Sequence, residues 1–141
     1  MRIMGLDLGN KTLGVAISDP TGLISTGYPT IRFKNKDFIS ALNSLLPLIQ
    51  NNKVEEIVLG LPKNMDGSEG NQASISKNFK KMIEEKTGIK VTLFDERLTT
   101  KIALQSMIMG GENRANRHDE IDEMSAKVIL QDYLDKLRRE K

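Results

Sequence analysis

Four carboxylates stand where side chains of their kind could act together: Asp7, Glu96, Asp119 and Asp122. Asp7 lies between Leu6 and Leu8, and its neighbours two residues away are Gly5 and Gly9. Side chains alternate faces along a strand, so Asp7 shares its face with residues that carry no bulk. That leaves room for something to approach the carboxylate. Glu96 follows the apolar run Ile89–Phe94, and Asp119 and Asp122 are three residues apart, hence on nearly one helical face. Two such charges ~4 Å apart at an effective dielectric of ~20 repel by roughly 4 kcal/mol, so a converged cluster needs a cation or a proton. An all-oxygen set suits Mg²⁺ or Mn²⁺. Two such ions roughly 3.5–4 Å apart can activate a water and stabilise the leaving oxygen of a phosphodiester. Each acid also has an ordinary reading. Asp7 can close a turn by accepting backbone N–H bonds. Glu96 can pair with Arg97 at the surface for at most about 1 kcal/mol. Asp119 and Asp122 can favour the positive end of a helix dipole.

The elements that must position these acids follow from periodicity. Ile3–Leu8 and Gly14–Ser18 are short apolar runs around the turn-rich Gly9-Asn10-Lys11, which predicts a β-hairpin. Asp19-Pro20-Thr21-Gly22 reads as a second turn, and Leu23–Phe33 as a third strand in which Gly27 and Pro29 suggest a bulge or an edge. Phe38, Leu42, Leu45, Leu46 and Ile49 have helical spacing within Asp37–Asn51, with a kink or break expected at Pro47. Glu56–Leu61 suits a buried central strand. Pro62–Asn71 is a loop by its Gly, Asn, Asp and Ser content. Ile75, Phe79, Met82 and Ile83 mark a helix that stops at Gly88, and Ile89–Phe94 is the last strand. Thr99 or Thr100 can cap a short helix. Gly110–His118 is polar and flexible in composition. A final helix follows, with Ile121, Met124, Val128, Leu130, Leu134 and Leu137 expected to face inward. The order, an antiparallel three-strand meander and then alternating helices and strands, predicts an α/β fold with a mixed sheet and helices on both faces. Strand ends of such sheets gather sites.

The chain has 141 residues, which suits a single domain over 1–141. It has no cysteine, which excludes disulfides, thiolate metal sites and a cysteine nucleophile and is compatible with a cytoplasmic setting. No apolar stretch approaches a membrane span, and Met1 leads straight into a strand-like run. The net charge of +2 is weakly basic and does not by itself announce nucleic acid. With 4% aromatics and no Trp, base stacking is not expected as a main binding mode. A partner held through its phosphates fits better.

Four blocks carry a resemblance: GLDLGNKTLGVAISD at 5–19, IVLGLPKNMDGSEGNQA at 57–73, LFDERLTT at 93–100 and IDEMSAKVILQDYL at 121–134. In this order and spacing the chain resembles the YqgF-like proteins, a family of pre-16S rRNA nucleases and Holliday-junction-resolvase-like proteins. The resemblance implies a ribonuclease-H-like fold with a five-stranded sheet and a metal-dependent nuclease site. It places the family's acids on Asp7, Glu96 and Asp122, holding Mg²⁺ or Mn²⁺, two ions in all. Asp119 is not carried over and stands as an accessory ligand only. Lys11, Lys63, Asn64 and Arg97 become candidates for holding phosphates. Arg114 and Arg117 could close over bound nucleic acid from the 110–118 segment. For the first four the ordinary reading is a solvated surface group, and for Arg114 and Arg117 an ordinary disordered loop. His118 is the sole histidine and reads as a surface residue. The implied function is hydrolysis of phosphodiesters at the 5′ end of pre-16S rRNA, with the assembling ribosome as a partner and the chain a monomer or weak homodimer. Branched DNA cut by a resolvase is the alternative, and a non-catalytic nucleic-acid-binding regulator is a third reading. The first block also resembles the phosphate-binding hairpin of actin-like ATPases, but 141 residues leave no space for the second domain those proteins use.

Overall fold

Alternation along β1 (Arg2–Leu8) decides how the molecule is layered. Met4, Leu6 and Leu8 point into one core, while Ile3 points into a second core on the other face of the sheet. The computed structural model describes residues 1–62, 66–95 and 114–140, with the backbone alone over 114–123. Beside β1 lie β2 (Thr12–Ser18), antiparallel, and β4 (Val54–Leu61), parallel. β3 (Ser25–Arg32) pairs antiparallel with β2, and β5 (Val91–Asp95) pairs parallel with β4. The sheet order is β3-β2-β1-β4-β5. Helices α1 (Phe38–Asn51) and α2 (Asn71–Thr87) cover the Leu6 face, and the long α3 (Arg114–Arg139) covers the Ile3 face. This is the mixed five-stranded, ribonuclease-H-like arrangement that the family resemblance implies.

Several boundaries differ from the sequence expectation, each for a local reason. The third strand starts at Ser25 because Leu23 and Ile24 belong to the preceding turn. Its pairing with β2 slips between Leu13↔Ile31 and Val15↔Tyr28, so the extra residue falls beside Pro29, at the edge of the sheet. Asp37 caps α1 rather than belonging to it, its carboxylate accepting from Ser40 N at 3.2 Å. The helix continues through Pro47, where a kink or break was expected. Pro47 and Asn43 are both exposed, so the carbonyl that loses its intrahelical donor lies on the watered side. Gly88, at φ 72°, ends α2 as expected.

α3 differs most. It begins at Arg114, so Arg114, Arg117 and His118 are helical rather than part of a flexible segment. The stretch from 114 is polar but contains no Gly or Pro, and a helix nucleated on its packed part extends through such residues readily. Its inward face is broader than expected: Leu130, Leu134 and Leu137 pack inward as expected. Ala126, Ile129 and Tyr133 are buried with Leu130 and Leu134, whereas Met124 and Val128 are half-buried.

The β2–β3 connection is built on Asp19. Its carboxylate accepts from the Thr21 hydroxyl, from Ile24 N at 2.8 Å, from Leu23 N at 2.9 Å and from Thr21 N at 3.2 Å. The Thr21 hydroxyl first, and then these backbone donors, hold its carboxyl well below the usual carboxylate range. A lowered pKa stabilises the fold above the unfolded value near ~4 and is lost as pH falls through the folded value. Asp19→Ala is therefore expected to lower Tm at neutral pH. Its thermal stability should also decline less steeply than that of the unaltered chain below about pH 4, as read by circular dichroism melts.

Tyr133 ties α3 to the sheet at the opposite edge. Its ring packs edge-on against Phe94, 6.0 Å between centroids, and its hydroxyl donates to Glu56 Oε2. Burial, with the Glu56 bond added, pushes its pKa up to about 12. Here the contribution is complete below the unfolded value near ~10 and is lost as pH rises through the folded one. Denaturant midpoints should thus fall between those two values in the unaltered chain, and fall less in Tyr133→Phe.

Candidate active site

Asp7 sits near the carboxyl end of β1, half-buried, on the sheet face that α3 covers. Directly across the antiparallel ladder is Gly14. Room at Gly5 was expected to admit a ligand, but the structure fills it with protein. A Cβ at Gly5 would stand 2.6 Å from Leu130 Cβ and 3.1 Å from the Ala126 carbonyl oxygen. Gly5 is thus the place where α3 lies directly on the sheet.

That contact also fixes direction. Ile3 packs with Leu134, and Gly5 with Leu130 and Ala126. α3 therefore runs opposite to β1, and going on from Gly5 to Asp7 means going back along α3 from Ala126. Position 122 is one turn before Ala126 and position 119 nearly two turns before it, on the same helical face. The backbone thereby brings positions 7 and 122 to one end of the sheet. Neither acid lies in the first turn of α3, which holds no acid. The helix-dipole reading of Asp119 and Asp122 loses its basis, because that effect fades within the first turn.

The other candidates are placed as follows. Lys11 is exposed in the β1–β2 turn, just past the same end of β1. Arg114 and Arg117 lie on the first turn of α3. β5 ends at Asp95 beside Leu61, so Glu96 follows directly on a strand that reaches this end. Glu96, Arg97, Lys63, Asn64 and the short helix after Thr99 lie outside the described residues. Phe94, two residues before Glu96, is on the Asp7 face, whereas Val91 and Leu93 pack toward α1 and α2. Among the described residues no three His, Cys, Asp or Glu side chains gather as a cation site would require, and of the three acids only the Asp7 side chain belongs to that set.

One contact at this end was not anticipated. Gln72, in the first turn of α2, donates from Nε2 to the Leu8 carbonyl at 3.2 Å. It anchors α2 to the end of the strand that carries Asp7. Gln72 falls within the second motif block, which was the only sequence signal for it. The loop before it is shaped by Asp66, whose Oδ1 accepts from Ser68 N at 2.9 Å and Ser68 Oγ at 2.6 Å.

A family model described as RuvX, Holliday junction resolvase, matches residues 1–136. The chain belongs to the RuvX family. A relative from Clostridium botulinum (strain Alaska E43 / Type E3), named "Putative pre-16S rRNA nuclease", is 45% identical over 139 residues, 99% of this chain and 100% of its own length. A Bacillus subtilis (strain 168) relative of the same name is 44% identical over 137 residues, 97% of this chain and 99% of its own. Among solved structures, Thermus thermophilus RuvC in complex with a Holliday junction substrate superposes with a TM-score of 0.60 at 12% identity, covering 99% of this chain and 96% of that one. Fowlpox virus resolvase with Holliday junction DNA gives 0.56 at 16% identity, covering 97% and 99%. At such identities these two show that the RuvX-family chain shares their fold. Membership places it among nucleases, enzymes that hydrolyse phosphodiester bonds.

Proposed function

We propose that this chain is a divalent-metal-dependent nuclease that processes the 5′ end of pre-16S rRNA, with Asp7, Glu96 and Asp122 as its catalytic acids. The observation that carries this reading is the seating of α3 on Gly5, which brings position 122 to the end of β1 where Asp7 lies. The donor set is all carboxylate oxygen, which fits Mg²⁺ or Mn²⁺. When bound, a pair of such ions lowers the pKa of a water and stabilises the leaving oxygen. The chain's own part is to hold carboxylates from three elements at one sheet end and to orient the phosphate. Lys11, Lys63, Asn64, Arg97, Arg114 and Arg117 supply donors for that. The relatives' names favour precursor 16S rRNA as the substrate. The reading further sets the reaction in the cytoplasm, with the assembling ribosome as partner and the chain a monomer or weak homodimer.

A second reading takes branched DNA as the substrate, favoured by the fold shared with two resolvases. A resolvase cuts two strands and so needs two sites related by a two-fold axis. The test offers the 5′ region of precursor 16S rRNA and a four-way DNA junction side by side, with Mg²⁺, Mn²⁺ or chelator. Metal-dependent cutting of the RNA alone supports the first reading, and cutting of the junction by a sedimenting dimer supports the second. Binding without cutting under any metal would leave a non-catalytic regulator.

A further inference from the structure

A group of exposed cations stands beside Lys11, on residues that the site above does not otherwise use. After β3 the backbone folds back onto the β1–β2 turn: Phe33 N donates to Lys11 O at 2.9 Å, and Lys36 N to Asn10 O at 2.7 Å. Lys36 takes a left-handed conformation, φ 62°, to make that second bond, a backbone state uncommon for lysine. The two segments, 10–12 and 32–37, are thereby joined side by side. They hold Lys11, Arg32, Lys34 and Lys36 against one acid, Asp37, whose carboxylate is engaged in capping α1. These nine residues alone outweigh the +2 of the whole chain.

All four cations are exposed. Among the described residues Lys11, Lys34 and Lys36 make no ion pair or side-chain hydrogen bond, whereas Lys77 and Arg138 are paired with Glu69 and Asp135. Such a clamped group of like charges repels itself modestly in water and gains when a polyanion lies across it. The ridge is also at the right end. β1 runs toward it past Asp7, and Arg32 closes β3 opposite Thr12 at the same end of the sheet. Lysine ammonium groups are point charges that hold phosphates without reading bases.

We infer that the clasped β1–β2 turn and β3–α1 loop form a phosphate-backbone ridge, in which Arg32, Lys34 and Lys36 extend the hold of Lys11 and seat the substrate nucleic acid beyond the scissile phosphate. This rests on the nuclease reading above for the identity of the polyanion. Lys34 and Lys36 are positioning residues; they take no part in the chemistry.

The test compares K34Q/K36Q with K86Q/K90Q, which removes equal charge at the far end of α2. Circular dichroism first establishes that both fold. Binding of a labelled 5′ precursor-16S RNA fragment and of a labelled four-way DNA junction is then followed by anisotropy across a salt series. Losing two phosphate contacts reduces the slope of log K against log salt by about 1.4–1.8 and weakens binding roughly tenfold near ~0.15 M salt. K34Q/K36Q is expected to show both effects, and the cost in cleavage should appear in KM. K86Q/K90Q should match the unaltered chain. If the two variants bind alike, whether unimpaired or equally impaired, the ridge is overturned. If the salt slope depends on the ridge but no cleavage occurs with any metal, the nuclease reading fails while the ridge stands.

Discussion

Asp7→Asn is expected to abolish cleavage while leaving the fold and nucleic-acid binding in place. The substitution keeps shape and removes one charge from a half-buried position at the end of a strand. An amide oxygen is a weaker ligand for a hard cation than a carboxylate, and the amide nitrogen cannot ligate at all. Metal ions contribute several kcal/mol of transition-state stabilisation to phosphodiester hydrolysis. Losing ~4 kcal/mol of it slows kcat roughly a thousandfold, since each 1.36 kcal/mol is about a factor of ten. The fold should persist, because the amide matches the carboxylate in shape and keeps an acceptor oxygen. Retained metal-dependent cleavage in Asp7→Asn, with the contaminant control of an independent preparation, would remove Asp7 from the mechanism.

The fold was legible because its strands obey simple rules. β1, β2 and β4 are short apolar runs between turn residues, and the two helices on the Leu6 face repeat their apolar residues at helical spacing. α3 was legible as a helix and, through Leu130, Leu134 and Leu137, in part of its face, but not in its start. A polar helix end looks like a loop when hydrophobic periodicity is the signal. The centre of that face was not legible because its contact is made of Gly5 and Ala126, two small residues, and close packing of small residues leaves no mark in an apolar pattern. The glycines beside Asp7 were visible, but not what they admit: at Gly5 it is a helix. Convergence of Asp7 with position 122 likewise depends on the direction in which α3 crosses β1, a tertiary fact that spacing cannot carry. The clasp between Lys36 and Asn10 is of the same kind, a backbone contact between segments 26 residues apart in number that no local pattern announces.

Gly5→Ala provides the second large effect and separates scaffold from chemistry. The new Cβ would meet Leu130 Cβ at 2.6 Å and the Ala126 carbonyl oxygen at 3.1 Å. Neither can swing aside, since one is the root of a side chain and the other is backbone. Either α3 or β1 must move. Overpacking of this kind costs roughly 1–3 kcal/mol, several degrees in Tm for a chain of this size. The displaced element carries position 122 at one side and Asp7 at the other, and a ~1 Å misplacement at a catalytic centre can cost about a hundredfold in rate. Gly5→Ala is therefore expected to lose both stability and kcat, whereas Asp7→Asn loses only kcat. Leu130→Ala cannot relieve the clash, because alanine keeps the offending Cβ. Leu130→Gly would remove the shorter contact but also empties a fully buried leucine site, at roughly 2–5 kcal/mol, so it cannot serve as a rescue. If Gly5→Ala instead melts and cleaves like the unaltered chain, α3 does not set the geometry of the site, and the assignment of Asp122 beside Asp7 falls with it.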